Sequence, residues 1–125
     1  MRRECLRTIL PLFACAMPAI APPERFNFAR HLLEVNVSRV SKLAYRDDER
    51  ALTYGELADG VRRLAAALPA LGVRREERVL LLMRDTVDWP VVFLGCLYAG
   101  VVPVAVNTLL NAADYAYVLA HSRAR

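Results

Sequence analysis

The chain has 125 residues, a length that suits one folded domain with its own core. Its net charge of +4 comes from sixteen arginines and one lysine, which are scattered among thirteen acidic residues. A nucleic-acid surface would show basic residues clustered in a stripe with interleaved aromatic ones, so this pattern argues against a nucleic-acid partner.

The cysteines and histidines show no metal-binding or disulfide pattern. Cys5, Cys15 and Cys96 contain no Cys-x-x-Cys pair, and their odd number leaves one over in any disulfide scheme. His31 and His121 lack a second ligand at metal spacing, so no metal site is predicted. Cys96 lies in an apolar run and is predicted to be a small buried residue. Free cysteines fit a reducing compartment, and we expect a cytoplasmic location.

Residues 1–22 are predicted to be an N-terminal extension. The first seven residues are basic, and residues 9–21 are apolar with interruptions at Pro11 and Pro18. A secretory signal is one interpretation, and translation from an upstream start, with Met17 as the true initiator, is the other. The two prolines favour the second interpretation because they would break the helix of a signal sequence.

From Asn27 onward, the pattern predicts a helix followed by a hairpin. Asn27 is a good helix N-cap, and apolar residues follow it at helical spacing. Residues 42–47 and 51–54 have the composition of two short strands. The polar residues 47–50 between them predict a turn.

The clearest local signature begins at Thr53. Thr53 and Glu56 have the spacing of a capping box, and Leu52 and Leu57 have the spacing of a hydrophobic staple. The predicted helix then presents one apolar face made of Leu57, Val61, Leu64, Ala65 and Leu68. Pro69 is expected to kink or end this helix, and Gly72 to close it.

The second half predicts a strand, a helix, a strand and a final helix. Residues 78–83 form a continuous apolar strand, as in a parallel sheet buried on both faces. Asp85 or Thr86 is expected to cap a helix that runs to residue 99, with Gly100 ending it before a strand at 101–106. This order implies a right-handed parallel unit. Asn111, with Asp114, is expected to cap the last helix.

The predicted fold is therefore α/β: a short N-terminal hairpin plus a βαβα unit of a parallel sheet flanked by helices. A competing interpretation takes the uncharged residues 89–106 as a membrane span. The prolines and glycines within that stretch favour a helix end and a strand instead, so we expect no membrane association.

Several segments together resemble the opening of the AMP-forming acyl-CoA synthetases. They are LTYGEL at 52–57, ERVLLLM at 77–83, LYAGVVPV at 97–104 and NTLL at 107–110. Within that superfamily the resemblance is strongest to the benzoate-CoA ligases, through PPERFNFA at 22–29, DTVDWP at 85–90 and YAYVL at 115–119. The resemblance covers residues 17–125, and Pro69 departs from its pattern.

This resemblance implies an adenylate-forming reaction for the parent protein. An aromatic carboxylate and Mg-ATP would give an acyl-adenylate and pyrophosphate, and coenzyme A would then displace AMP to give the thioester. ATP, Mg²⁺ and coenzyme A are thus the expected cofactors and partners of the parent, and none is expected for this chain. The family's phosphate loop and catalytic lysine have no counterpart here, since Lys42 is the only lysine and lies in another context.

We therefore predict no catalytic, cofactor-binding or metal-binding residue in this chain. Residues 107–110 follow a predicted strand at its carboxyl end, where ligands of open α/β folds gather, but a loop and helix cap is the expected role. Residues 23–125 are interpreted as an incomplete N-terminal subdomain of an AMP-binding domain, inactive without the missing remainder of the ligase. The alternative is a non-catalytic interaction module or the remnant of a former enzyme. The DNA that follows codon 125 would distinguish the two.

Overall fold

The computed structural model describes residues 23–124, which form four α-helices and four short strands. The predictions for residues 1–22, including Met17 as initiator, lie outside the described residues. In chain order the elements are α1 (Phe28–Val35), a 3₁₀ turn (Val37–Arg39), β1 (Leu43–Arg46), β2 (Ala51–Thr53), α2 (Tyr54–Ala67), β3 (Arg78–Leu81), α3 (Asp88–Ala99), β4 (Val102–Ala105) and α4 (Ala112–Ser122).

The strands form two separate pairs. β1 and β2 make the predicted antiparallel hairpin, with an irregularity in register between Leu43 and Tyr45. β3 and β4 are parallel and in continuous register, from Arg78 opposite Val102 to Leu81 opposite Ala105. The predicted strand, crossover helix and parallel strand are therefore confirmed.

Helices α1, α2 and α3 pack together around the main core. Its buried residues come from all three helices: Ala29, Leu33, Leu57, Val61 and Leu94. The partly buried Leu52, just ahead of α2, packs against them. Leu52 and Leu57 thus meet in one cluster, as the staple spacing predicted. A second cluster of Leu68, Cys96 and Val101 lies where α2 and α3 end. Cys96 is buried, as predicted.

Close packing of α2 against α3 depends on two glycines that face the partner helix. A methyl group added at Gly95 would lie 2.6 Å from Leu64 Cδ2, and one added at Gly60 would lie 2.8 Å from Val91 Cγ1. Both distances are shorter than carbon atoms tolerate. The two glycines therefore allow the helices to approach more closely than alanine would.

Most of the predicted helix ends are confirmed. Asn27 Oδ1 accepts the main-chain N–H of Arg30 at 2.9 Å, and Asn111 Oδ1 accepts that of Asp114 at 3.0 Å. The capping box at Thr53 is complete, because Thr53 N donates to Glu56 Oε2 at 2.8 Å and Glu56 N donates to Thr53 Oγ1 at 3.3 Å. Gly100 ends α3 with φ of 76°, a conformation that glycine adopts without steric cost.

Two boundaries differ from the sequence-based expectation. Helix α2 ends at Ala67, so it stops just before Pro69 and does not continue to Gly72. Helix α3 begins at Asp88, and neither Asp85 nor Thr86 caps it with a side chain, so that prediction was wrong. Thr86 takes part only through its main-chain oxygen, which accepts the N–H of Trp89 at 3.0 Å.

The membrane-span interpretation of residues 89–106 does not match the observed elements. Helix α3 has 12 residues and ends at Gly100, after which β4 begins. Among residues 23–124, no helix combines the length and apolar character needed for a membrane crossing. The terminal helix α4 has no buried residue, and Tyr117 and Leu119 on it are exposed.

Candidate functional site

The carboxyl ends of the two parallel strands form the first candidate site. β3 and β4 both end at one edge, and a cleft of about 350 Å³ opens there. It is lined by the residues that follow the two strands and by one aromatic residue of α3: Met83, Asp85, Trp89, Ala105, Val106, Asn107 and Thr108. Ligands of open α/β sheets bind at this edge, so its polar groups are the first to consider.

The polar groups of Asn107 are engaged within the loop. Its Oδ1 accepts the N–H of Leu109 at 2.9 Å, and its main-chain oxygen accepts the hydroxyl of Tyr115 at 3.0 Å. Asn111, four residues later, caps α4. Residues 107–110 thus form a loop that leads into α4, as expected, and the cap itself is Asn111.

The start of α3 is held by a side chain of the hairpin as well as by the main chain of Thr86. Asp47, in the turn between β1 and β2, accepts the N–H of Val87 through Oδ2 at 2.9 Å. Its Oδ1 accepts the N–H groups of Glu49 and Arg50 at 3.0 and 2.6 Å. The hydrogen bond from Val87, followed by that from Arg50, lowers the pKa of Asp47 below its usual range.

An ion pair strengthens the same junction. The Arg50 guanidinium hydrogen-bonds the carboxylate of Asp88, the first residue of α3. The sequence held no local signal for this junction, because Asp47 and Val87 are 40 positions apart. Asp47 was recognisable only as a turn residue. The junction positions α3, and thus the cleft residue Trp89, without offering a free group for chemistry.

The histidines and the buried cysteine contribute packing. The ring centroids of His31 and Phe26 are 5.4 Å apart. Those of His121 and Tyr117, which stack, are 5.3 Å apart. Burial raises the pKa of the Cys96 thiol, which keeps it protonated and unreactive. Within residues 23–124 no group of three or more His, Cys, Asp or Glu side chains is placed to hold a metal ion.

Residues 33–125 match the family of AMP-binding enzymes. The chain belongs to this family. Two bacterial relatives show which branch it resembles. It is 44% identical over 106 residues to the 4-hydroxybenzoate-CoA/benzoate-CoA ligase of Rhodopseudomonas palustris, and 46% identical over 111 residues to the benzoate-CoA ligase of Thauera aromatica. These matches cover 83% and 86% of this chain, but 20% and 21% of the relatives.

Solved structures of AMP-binding enzymes share the fold. A benzoate-CoA ligase from Burkholderia xenovorans LB400 superposes with a TM-score of 0.79 at 59% identity, over 81% of this chain and 21% of the ligase. The anthranilate-CoA ligase AuaEII, in complex with anthranoyl-AMP, also gives a TM-score of 0.79, at 35% identity over 83% of this chain and 20% of the ligase. The predicted α/β fold of the N-terminal region of an adenylate-forming enzyme is therefore confirmed. The chain spans about one fifth of the length of the relatives it matches.

Proposed function

We propose that this chain forms the N-terminal part of the AMP-binding domain of an aryl-CoA ligase. The parent reaction joins a benzoate-type carboxylate to coenzyme A, with ATP cleaved to AMP and pyrophosphate through an acyl-adenylate. The observation that carries the proposal is the identity of 44% and 46% to two benzoate-CoA ligases over most of this chain. We also propose a cytoplasmic location for the parent enzyme.

Within the parent, this chain acts as a framework. Helix α3 is fixed at its start by Asp47 of the hairpin and at its end by Asn27, whose Nδ2 donates to the main-chain oxygen of Leu97 at 2.7 Å. The helix in turn supports the parallel pair β3–β4, whose carboxyl edge is open. In this role the chain holds one edge of a sheet at which ligands gather, and other segments of the parent supply the reacting groups.

ATP, Mg²⁺ and coenzyme A are the cofactors that we propose for the parent. The cleft at the carboxyl edge is lined by no cationic side chain that could hold their phosphate groups. Lys42, the only lysine of the sequence, lies at the start of the hairpin and does not line the cleft at the carboxyl edge. We assign no step of the reaction to a residue of this chain. The 125-residue chain is accordingly expected to be inactive on its own.

A chimera tests the framework role. Residues 23–124 would replace the matching segment of the Thauera aromatica benzoate-CoA ligase, and pyrophosphate release would be followed with benzoate, ATP, Mg²⁺ and coenzyme A. We expect the chimera to be active, because the same core and the same sheet edge are restored. The same chimera carrying Val61→Asp, which buries an unpaired charge in the core, is the matched control and is expected to lose activity.

Two results would contradict the proposal. One is a chimera that is folded, as judged by a cooperative unfolding transition, but has no activity with benzoate or a hydroxybenzoate. The other is benzoate-dependent and ATP-dependent pyrophosphate release by the purified 125-residue chain above the background of the Val61→Asp variant. The first result would favour a separate interaction module, and the second would place catalytic groups in this chain.

A further inference from the structure

Three arginines from three different segments line one cleft at the end of α3. Arg25 precedes α1, Arg30 lies on α1, and Arg75 lies in the loop between α2 and β3. The cleft has a volume of about 700 Å³, and Glu24 is the one acidic residue that lines it. With Glu76, which pairs with Arg75, the cleft has three positive groups and two negative ones, so its net charge is positive and attracts anions.

The arrangement is held by contacts that fix the main chain around the cleft. Asn27 Nδ2 donates to the main-chain oxygen of Leu97 at 2.7 Å, which holds the segment carrying Arg25 and Arg30 against the end of α3. On the other side, Glu76 N donates to the main-chain oxygen of Gly100 at 2.9 Å. That contact places Arg75 over Gly100, where an added methyl group would lie 3.1 Å from Arg75 Cγ.

A cation near a helix C-terminus often serves only to pair with the last carbonyl groups. Here three of those groups already have partners. The oxygen of Cys96 accepts the N–H of Val101 at 2.9 Å, and that of Leu97 accepts the N–H of Gly100 at 3.0 Å as well as Asn27 Nδ2. The oxygen of Tyr98 also accepts from Asn27 Nδ2, at 3.5 Å. The guanidinium groups are therefore not needed to satisfy these three carbonyl groups.

The three guanidinium groups also remain available to solvent. Within residues 23–124, Arg25 and Arg30 form no ion pair. Arg75 pairs with Glu76 at 3.3 Å, and the Arg75 side chain is 80% exposed. The guanidinium of Arg30 lies over the Tyr98 ring, 5.8 Å from its centroid, which orients it beside the cleft without neutralising its charge.

From this geometry we propose that the cleft between Arg25, Arg30 and Arg75 is a binding site for a phosphate-bearing ligand. The planar guanidinium group donates two parallel hydrogen bonds to phosphate oxygens, and several of them together suit a ligand with more than one negative charge. A monocarboxylate carries one charge and is expected to bind less tightly. The site is separate from the carboxyl edge of β3–β4, since the two clefts share no residue.

Equilibrium dialysis of the 125-residue chain against radiolabelled inorganic pyrophosphate tests this proposal, with acetate at matched ionic strength as the comparison anion. We expect saturable pyrophosphate binding. Arg30→Gln and Arg75→Gln should each weaken binding by about tenfold, because each removes a charge-assisted contact to the anion. Arg46→Gln, on β1 outside the cleft, is the matched control and should leave binding unchanged.

Three outcomes would overturn the proposal: no saturable binding by the chain, equal weakening by Arg46→Gln and by the cleft variants, or equal affinity for acetate and pyrophosphate. The substituted side chains are exposed, so the variants should unfold at the same denaturant concentration as the unchanged chain. The test is independent of the framework role, because an active chimera does not require this cleft to bind an anion.

Discussion

Asp47 and Val87 are 40 positions apart, and the carboxylate of the first accepts the main-chain N–H of the second at 2.9 Å. The hairpin turn thereby holds the residue that precedes α3, the helix between the two parallel strands. One side chain joins the hairpin to the start of α3, because its other oxygen closes the turn that contains it.

Removing the Asp47 carboxylate is expected to destabilise the fold. Asp47→Ala leaves the N–H groups of Val87 and Arg50 without their acceptor, whereas Asp47→Asn keeps one carbonyl oxygen in place. We therefore expect the alanine variant to unfold at a lower urea concentration than the asparagine variant, and both at a lower concentration than the unchanged chain. Asp48→Ala, at an exposed neighbouring position, is the control and should have little effect.

Stability is expected to fall in acid because two carboxylates have lowered pKa values. Hydrogen bonds lower the pKa of Asp47, chiefly the one from Val87, and those from Thr53 lower that of Glu56. A carboxylate with a lower pKa in the folded state stabilises the fold above its unfolded pKa of about 4, and this contribution is lost as pH falls through the folded value. Urea midpoints should thus decrease below about pH 4.

The variant Asp47→Asn separates this effect from general acid denaturation. It should show a weaker decrease of the urea midpoint with pH than the unchanged chain, since one of the two linked carboxylates is gone. Identical pH profiles for the two proteins would contradict the assignment of the pH dependence to Asp47.

The capping box is expected to stabilise α2. Thr53→Ala removes the acceptor for Glu56 N, and loss of such a cap costs about 1 kcal/mol of the free energy of unfolding. Thr53→Ser retains the hydroxyl and should cost clearly less. Equal destabilisation by the two variants, measured by urea unfolding, would show that the methyl group of Thr53 matters and its hydroxyl does not.

Gly95→Ala is expected to disturb the contact between α2 and α3. The new methyl group would lie 2.6 Å from Leu64 Cδ2 and 3.0 Å from Leu64 Cβ, so the helices must separate or Leu64 must shift. Overpacking of this kind costs roughly 1–3 kcal/mol, which outweighs the better helix propensity of alanine. The measurement is the free energy of unfolding from urea titration.

A double-mutant cycle with Leu64→Ala identifies the cause. If steric conflict with Leu64 is responsible, Gly95→Ala should be less harmful in the Leu64→Ala background, where Cδ2 and Cγ are absent and only the Cβ contact remains. Additive costs for the two substitutions would rule out that conflict as the source of the instability.

The prediction of local features succeeded where both partners lie within a few residues of each other. Spacing predicted two N-terminal caps, Thr53 with Glu56 and Asn111 with Asp114, because each pair lies within one helical turn. It also predicted that Gly100 ends α3. Pro69 marked the end of α2 for the same reason, since proline disrupts the turn that precedes it.

The sequence by itself determined the α/β order of elements, the hairpin, most helix ends and the resemblance to benzoate-CoA ligases, all of which depend on local or periodic patterns. Only the tertiary structure decided how the start of α3 is held, because the acceptor for the Val87 N–H is Asp47 in another element. It alone also decided that Arg25, Arg30 and Arg75 share one cleft. The packing of α1, α2 and α3 brings such residues together. The number of positions between two residues in the sequence does not predict their distance in space.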